Sequence, residues 1–364
     1  MTAPPRGWVA SRWDRLNGPA RITGIDLARG LAVLGMLAAH LIAVRGLFDV
    51  SEPSTWLGIV DGRSSILFAT LAGVSIGLVT GGREPLAGPT LETARLRLAV
   101  RALLIWMLGA SLLLLTVPVF VILPAYGILF LLAIPLITLR ARTLFLVAAG
   151  LALVMPLVQP FLDLLPIWSG RTGEELSRLL GWHYPFTVWI AFVAAGMALA
   201  RAGVRALAVQ LWTLATASFV AIFVYALDAL TRANPDDFYW GGVWTAVPHS
   251  SGILEVWGSG AFALAVIAAC LLVCRMVVTW IVLPLRAVGA MPLTAYTVQI
   301  VGWWLVALLL GQNVQDLFAF RELEPFWPFV ISIVVGCTAW ALLVGRGPLE
   351  WVIDRVSRLV TARR

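Results

Sequence analysis

The sequence predicts an all-α bundle of about ten helices that cross a membrane. Three observations predict this fold class: an apolar composition, long apolar segments that recur along the chain, and an uneven distribution of arginine. Of the 364 residues, 60% are hydrophobic and only 12% are charged, and the mean hydropathy is +0.93. Because such values lie far outside the range of soluble globular domains, we expect a polytopic integral membrane protein.

Apolar segments of about 18 to 25 residues follow one another, and each is long enough to cross a hydrocarbon core of about 30 Å as a helix. The predicted spans are residues 27–45, 64–80, 98–117, 121–139, 143–165, 186–200, 207–230, 254–274, 290–311 and 326–345. Before them, the first 20 residues are polar and lack the apolar core of a cleavable signal peptide. We therefore expect an N-terminal tail (1–23), a transmembrane domain (24–346) and a basic C-terminal tail (347–364).

Arginine supplies all 26 basic residues, and its distribution predicts the orientation of the spans. If the N-terminus lies in the cytoplasm, nineteen arginines fall in cytoplasmic tails and loops, as expected from the positive-inside rule. This asymmetry predicts an even number of spans with both termini cytoplasmic. It also accounts for the net charge of +7, so nucleic-acid binding is not needed to explain that charge.

The longest predicted outer loops, 166–185 and 231–253, carry aromatic residues beside carboxylates. Such a pattern suits a sugar-binding surface, and it suits an interfacial aromatic belt equally well. Within the first loop, "SGRTGEELSRLLGWHYP" has the period of a short amphipathic helix. The three cysteines lie inside predicted spans, which favours neither a disulfide framework nor a zinc site.

The first span, "GIDLARGLAVLGMLAAH", carries Asp26, Arg29 and His40 in an otherwise apolar helix. Asp26 and Arg29 share a helix face, and such a pair either anchors the helix at the inner headgroups or has a role in a site. His40 follows Asp26 by 14 residues, which corresponds to about 21 Å of helix and places it in the outer half of the bilayer. An ionisable residue within a span usually faces a cavity or a polar path, so His40 is a candidate for chemistry.

This first span resembles that of the membrane acyltransferases, the family typified by heparan-α-glucosaminide N-acetyltransferase, with its bacterial relatives and, more distantly, the acyltransferase 3 family. Similar stretches are "WLGIVDGRSSILFATLAGVSIGL", "VILPAYGILFLLAIPL", "AVGAMPLTAYTVQIV" and "GPLEWVIDRV". In acyltransferase 3 an Asp-x-x-Arg-Gly pattern opens the first span and a catalytic histidine closes it. The resemblance therefore implies a catalytic role for His40, as a general base or as the carrier of an acyl intermediate.

The resemblance further implies transfer of an acyl group, with acetyl as the first candidate, from cytoplasmic acyl-CoA. The acceptor would be a hydroxyl or amine of a saccharide or glycolipid at the outer side of a bacterial plasma membrane. The resemblance implies no metal. Membrane lipid is an expected partner, and the sequence leaves open whether the protein forms homo-oligomers.

Predicted depth selects residues for the other roles. The expected supporting residues are Asp26, Glu255 and Asp228. The donor-binding candidates are Arg29, Arg97, Arg101, Tyr126, Tyr296 and Gln299. The acceptor-binding candidates are Trp56, Asp61, Arg63 and His249. Topology-setting arginine and interhelical packing are the alternative interpretations of the donor group.

Two other classes of function fit a bundle of this kind. A transporter or lipid flippase for an envelope precursor would also have about ten spans and a polar central path. We expect several titratable residues at mid-span in such a protein, whereas the deep spans here carry almost none besides His40. A non-catalytic scaffold in an envelope-building complex is the third class.

Overall fold

The computed structural model describes residues 8–43, 51–231, 237 and 239–362. Within these residues the chain is helical and contains no strand. The α-helices are α1 (Trp8–Asn17), α2 (Thr23–Leu41), α3 (Arg63–Val79), α4 (Gly88–Leu113), α5 (Leu123–Ala133), α6 (Ala141–Asp163), α7 (Gly170–Leu180), α8 (Phe186–Ala202), α9 (Leu207–Thr231), α10 (Trp240–Val243), α11 (Ile253–Val273), α12 (Val278–Ile281), α13 (Leu283–Ala290), α14 (Pro292–Leu309), α15 (Leu317–Glu322), α16 (Phe326–Leu343) and α17 (Pro348–Thr361). Short 3-10 helices cover Pro53–Ile59, Ile134–Thr138 and Pro166–Trp168.

The long apolar helices confirm a polytopic helical bundle. In the described part of the chain, eight helical segments are long and apolar enough to cross a membrane. They are α2, Pro53–Val79 (which contains α3), α4, α6, α9, α11, α14 and α16. The predicted fourth and sixth spans correspond to two shorter apolar segments, Leu123–Thr138 and Phe186–Ala202. The first predicted span ran to residue 45, whereas α2 ends at Leu41 and residues 44–50 lie outside the described part.

Helix α8 lies at the centre of the bundle, where it packs against α3, α5 and α6. It is apolar on all sides, which is the pattern of a helix surrounded by other helices. Near its end the guanidinium of Arg201, 3% exposed, donates to the carbonyl oxygens of Gly77 (2.8 Å), Thr80 (3.1 Å) and Ile137 (2.7 Å). These carbonyl groups lie at the ends of their helices, so Arg201 joins the end of α8 to the end of α3 and to the 3-10 helix Ile134–Thr138.

Helix α2 is also an interior helix, which matters because it carries His40. It packs against α3, α11 and α13, and its first turns approach α13 very closely. A Cβ atom at Gly30 would collide with the carbonyl oxygen of Leu285, and one at Gly289 would collide with that of Asp26. Two glycines thus permit backbone contact between α2 and α13, and α2 is held on several sides.

The ninth predicted span, 290–311, corresponds to α14, and a break in the helix separates α14 from the preceding α13. The break lies at Met291, whose φ of −138° and ψ of 56° are not helical. Pro292 explains it, because proline disfavours helical geometry in the residue before it. The first amides of α14, those of Leu293 and Thr294, donate to the Glu350 carboxylate at 2.8 and 3.0 Å. A side chain of α17 therefore caps a helix that starts inside the bundle.

The predicted amphipathic helix in the outer loop is confirmed as α7, which ends at Gly181 with a positive φ of 65°. At the other end of the chain, most of the predicted C-terminal tail is the helix α17. This helix packs against α4 and α14, so its charged side chains are held against the bundle.

Candidate functional site

A cavity of about 300 Å³ at the C-terminal end of α2 contains all three histidines of the chain among its lining residues. His40 comes from α2, His183 from the turn after α7, and His249 from the loop before α11. Asp61 and Arg321 also line this cavity, which we call the histidine cavity. Titratable side chains from distant segments that meet in one cavity are typical of a site for proton transfer.

Gln299 of α14 holds the ring of His40. Its Nε2 atom lies 2.7 Å from Nδ1 of His40, and Gln299 is only 1% exposed. Within the described residues Nε2 of His40 has no hydrogen bond, and it is the ring nitrogen that is available to the cavity. The sequence analysis selected both residues, but it placed Gln299 with the donor and not beside the histidine.

Arg321 of α15 contacts the end of α2 on the same side. Its Nε atom donates to the carbonyl oxygen of His40 at 3.0 Å, and its Nη2 atom donates to that of Ala39 at 3.3 Å. These are carbonyls of the last helical turn, which have no partner within the helix. Arg321 was not among the predicted site residues, because a single arginine in a loop between two spans carries no pattern that marks a site.

Asp61 and His249 form a second polar pair in the histidine cavity, with Oδ1 of Asp61 3.3 Å from Nε2 of His249. Glu255, 4% exposed, accepts hydrogen bonds from the backbone amides of His249 and Ser251, both at 2.6 Å. The φ angles of His249 (64°) and Ser251 (57°) are positive, a conformation that costs free energy in residues other than glycine. Glu255 therefore holds the backbone of the strained loop that carries His249.

Asp228, the other acid expected to support an imidazole, also holds this loop. Its Oδ1 atom accepts the amide of Ala246 at 2.9 Å. Asp228 and Glu255 thus bind the two ends of the segment that carries His249.

The pKa values of the two histidines outside the spans are shifted in opposite directions. Burial lowers the pKa of His249, but its hydrogen bond to Asp61 and the charges of Glu255 and Asp61 outweigh that effect, and the pKa is raised overall. Burial, followed by the charge of His249, lowers the pKa of His183 to about 4. The ring of His183 stacks on Phe120 with centroids 3.6 Å apart, so an apolar ring covers one of its faces.

The remaining acceptor-binding candidates do not line the histidine cavity. Arg63 donates to the hydroxyl of Tyr225 at 2.7 Å and to the carbonyl of Gly58 at 3.2 Å. Trp56 is 50% exposed in the 3-10 helix that precedes α3. Of the four predicted residues, the structure brings Asp61 and His249 together at the cavity.

At the opposite end of α2, Asp26 is bound by two arginines. Arg21 donates to Oδ2 at 2.5 Å and to Oδ1 at 3.1 Å, and Arg29 donates to Oδ1 at 3.1 Å. Arg29 also donates to Ser75 of α3 at 2.9 Å. Asp26 therefore lies far from the ring of His40, and its contacts join α2 to α3.

A cavity of about 540 Å³ beside this end of α2 carries a strong excess of positive charge. Its charged lining residues are Arg15, Arg21, Arg101, Arg346, Arg355, Arg358, Glu350 and Asp354. We call it the arginine cavity. Asp354 accepts hydrogen bonds from Arg101 (3.1 Å), Arg346 and Arg358. Burial, and then the charges of Arg12, Arg346 and Arg21, lower the pKa of Arg15, which reflects how closely the cations crowd together.

Among the predicted donor-binding arginines, Arg101 lines this cavity, whereas Arg97 lies outside its lining and donates to Thr361 at 3.1 Å. The residues that α17 contributes to this cavity were not predicted from the sequence. A signal was present, because Glu350, Asp354 and Arg358 follow one another at four-residue spacing and share one helix face.

The two predicted tyrosines form hydrogen bonds that join neighbouring segments of the bundle. The hydroxyl of Tyr296 accepts the amide of Ile122 at 3.2 Å, and that of Tyr126 donates to the carbonyl of Ser65 at 3.4 Å. Tyr296 lies one turn before Gln299 on α14. Both rings are buried, so they contribute to the packing of the bundle.

The family model described as the catalytic region of heparan-α-glucosaminide N-acetyltransferase matches residues 21–227. The match covers more than half of the chain and includes α2, Asp61 and His183. Gln299, Arg321 and His249 lie beyond it. Comparisons with curated proteins and with solved structures give no match.

Proposed function

Because the chain belongs to the heparan-α-glucosaminide N-acetyltransferase catalytic family, we propose that it acetylates a saccharide or glycolipid across a membrane. The family and the apolar helices together make the chain a membrane acetyltransferase. In the proposal, acetyl-CoA is the donor and binds from the cytoplasmic side. An amine or hydroxyl of the acceptor approaches from the outer side.

One observation carries the proposal: the three histidines share one cavity, and a buried glutamine orients His40 there. Nδ1 of His40 is bound to Gln299 and Nε2 has no partner in the described structure, so a neutral imidazole at this position is suited to move a proton.

The arginine cavity supports the donor end of the proposal. Guanidinium groups bind phosphate through paired hydrogen bonds, and coenzyme A carries three phosphates on a long, thin thiol arm. Arg21 lines this cavity and binds Asp26 on α2, and His40 lies 14 residues, about 21 Å, further along the same helix. The two cavities thus lie at opposite ends of α2, as a donor that enters at one end and reacts at the other requires.

In the proposed reaction, the Gln299 amide is turned so that its oxygen accepts from Nδ1–H of His40, which leaves Nε2 unprotonated. Nε2 then takes a proton from the acceptor while the acceptor's nitrogen or oxygen attacks the thioester carbonyl. The carbon–sulfur bond then breaks, and the same proton passes to the CoA thiolate. The acceptor gains the acetyl group, CoA leaves as the thiol, and His40 returns to its neutral form. An acetylated His40 is the alternative intermediate, and its signature is ping-pong kinetics.

The test is an acetyl-transfer assay with the detergent-purified chain, acetyl-CoA, and glucosamine as the probe acceptor. We expect the wild type to release CoA and form N-acetylglucosamine, and His40→Ala to lower turnover about 10²- to 10⁴-fold, the usual contribution of a general base. Arg171→Gln is the control, because Arg171 is exposed on α7 and pairs only with Glu175 in the described structure. A His40→Ala variant that keeps more than about a tenth of wild-type turnover contradicts the role of His40.

A further inference from the structure

Arg321 is held rigidly at the wall of the histidine cavity by the short helix α15. Asp316 caps this helix by accepting the amide of Ala319 at 2.9 Å. Phe320 is 1% exposed and stacks on Trp303 of α14, with ring centroids 4.5 Å apart. The residue next to Arg321 is therefore anchored in the core, and the direction of the guanidinium is determined by packing.

The guanidinium retains unused hydrogen-bonding capacity. Nε and Nη2 donate to the carbonyl oxygens of His40 and Ala39, as described above. Within the described residues, Nη1 has no hydrogen-bond partner, and no carboxylate lies within 4.0 Å of the guanidinium. This differs from the arginine cavity, where Asp354 partly neutralises the cations. Arg321 thus presents a positive charge and a free donor to the histidine cavity, beside the backbone of the proposed base.

Acyl transfer requires a group with these properties. When a nucleophile attacks a thioester, the carbonyl oxygen becomes an oxyanion, and preorganised donors that are directed at it lower the barrier. A charged donor in a water-poor site stabilises that oxygen more strongly than water does, because the local dielectric constant is low. Glu255 and Asp61 cannot serve, since both are acids, and Gln299 is occupied with His40.

We infer that Arg321 is a catalytic residue of the acetyl transfer, and that its guanidinium binds the carbonyl oxygen of the acetyl thioester. The inference rests on the proposed function. The acceptor forms a bond to the carbonyl carbon, the carbonyl electron pair moves onto oxygen beside Arg321, and His40 holds the acceptor's proton. When the electron pair returns, the carbon–sulfur bond breaks and the proton goes to the CoA thiolate.

A kinetic comparison separates this role from a purely structural one. Arg321→Gln should lower kcat about 10²- to 10³-fold, the usual cost of losing an oxyanion donor, with little change in KM for acetyl-CoA or for the acceptor. Arg321→Lys keeps the positive charge and should lower kcat less than Arg321→Gln does. If either KM rises while kcat is unchanged, Arg321 only binds substrate, and the inference is wrong.

Infrared difference spectroscopy provides a readout without turnover. With [1-13C]acetyl-CoA bound, the thioester carbonyl should absorb at lower frequency in the wild type than in solution, because Arg321 polarises it. The band should stay lowered in Arg321→Lys and return toward the solution value in Arg321→Gln. Arg171→Gln is again the control, and it should match the wild type.

The outcomes distinguish the two proposals. A bound carbonyl band that is lowered in the wild type and unchanged in Arg321→Gln overturns the role of Arg321 and leaves the proposed function intact. If acetyl-CoA does not bind to the wild type at all, the proposed function fails, and the inference fails with it. The inference is supported if the carbonyl band is lowered in the wild type and in Arg321→Lys but not in Arg321→Gln, and if Arg321→Gln also has a lower kcat.

Discussion

At the scale of single residues, the amide of Gln299 determines which nitrogen of His40 takes part in chemistry. If the amide oxygen faces Nδ1–H, then Nε2 carries a lone pair and acts as a base. If the amide nitrogen faces Nδ1, then Nε2 carries the proton. Because Oε1 has no other partner in the described structure, rotation of the amide exchanges the two states at little cost in hydrogen bonds.

We therefore predict that Gln299→Met, which keeps the size and removes the polar atoms, lowers kcat roughly tenfold to hundredfold, a fraction of the full general-base contribution. Gln299→Glu should retain more activity, because a carboxylate oxygen still accepts from Nδ1–H. Steady-state assays with acetyl-CoA compare the two variants. Wild-type kcat in the Met variant would show that Gln299 does not orient the base.

Residue-level prediction from the sequence selects polar side chains that stand out against an apolar span. His40 and Gln299 are such residues, and both were selected. Their contact was not predicted, because 259 positions separate them and spacing along one helix carries no information about another. Arg321 was not selected for a related reason: its position beside His40 depends on how α15 packs against α14 and α2, and spacing along the chain does not reveal that packing.

At the scale of elements, the loop of residues 244–252 is the part of the site with the most backbone strain. Glu255 and Asp228 hold it, and its conformation brings His249 to Asp61. Protonated His249 forms an ion pair with Asp61, and this pair stabilises the folded state. Its contribution to the free energy of folding is complete below about pH 6.5 and is lost as the pH rises through the raised pKa of His249.

We predict that histidine-selective 13C NMR of the purified chain resolves the titrations of His183 and His249, with one pKa below and the other above the ordinary histidine value. His249 should titrate above about pH 6.5, the ordinary value, and His183 should titrate near 4. Asp61→Asn should lower the midpoint of His249, because it removes the carboxylate that stabilises the charged ring. Equal midpoints for the two histidines, or a His249 midpoint that Asp61→Asn does not change, would contradict the described pairing.

The cluster formed by α4 and α17 allows a test of the donor site. Replacing both Arg101 and Arg346 by Gln should raise the Kd for acetyl-CoA at least about tenfold, because each charge-assisted contact is worth about 1.5–3 kcal/mol. Arg97→Gln is the matched control, since Arg97 lies on the same helix as Arg101 but outside the cavity lining. Isothermal titration calorimetry measures both, and equal affinities would remove the arginine cavity from the donor site.

At the scale of the whole molecule, hydropathy predicted the bundle well, because each span buries its own backbone hydrogen bonds and is apolar along its full length. Even α8, too short to meet a strict length criterion, was predicted from its apolar run. The ninth span was predicted to begin at residue 290, close to the break at Met291 that Pro292 explains. Neither cavity was predicted as such, because each depends on how distant spans pack against one another.

The central claim is that an acetyl group crosses the membrane while its carrier stays behind. The direct measurement uses proteoliposomes of the purified chain with glucosamine enclosed and [14C-acetyl]-CoA outside. We predict that the label appears in enclosed N-acetylglucosamine while CoA stays outside, and that His40→Ala vesicles show neither transfer nor CoA release. Label that enters as intact acetyl-CoA, as a transporter would deliver it, or release of CoA outside with no label in enclosed N-acetylglucosamine, would contradict the claim.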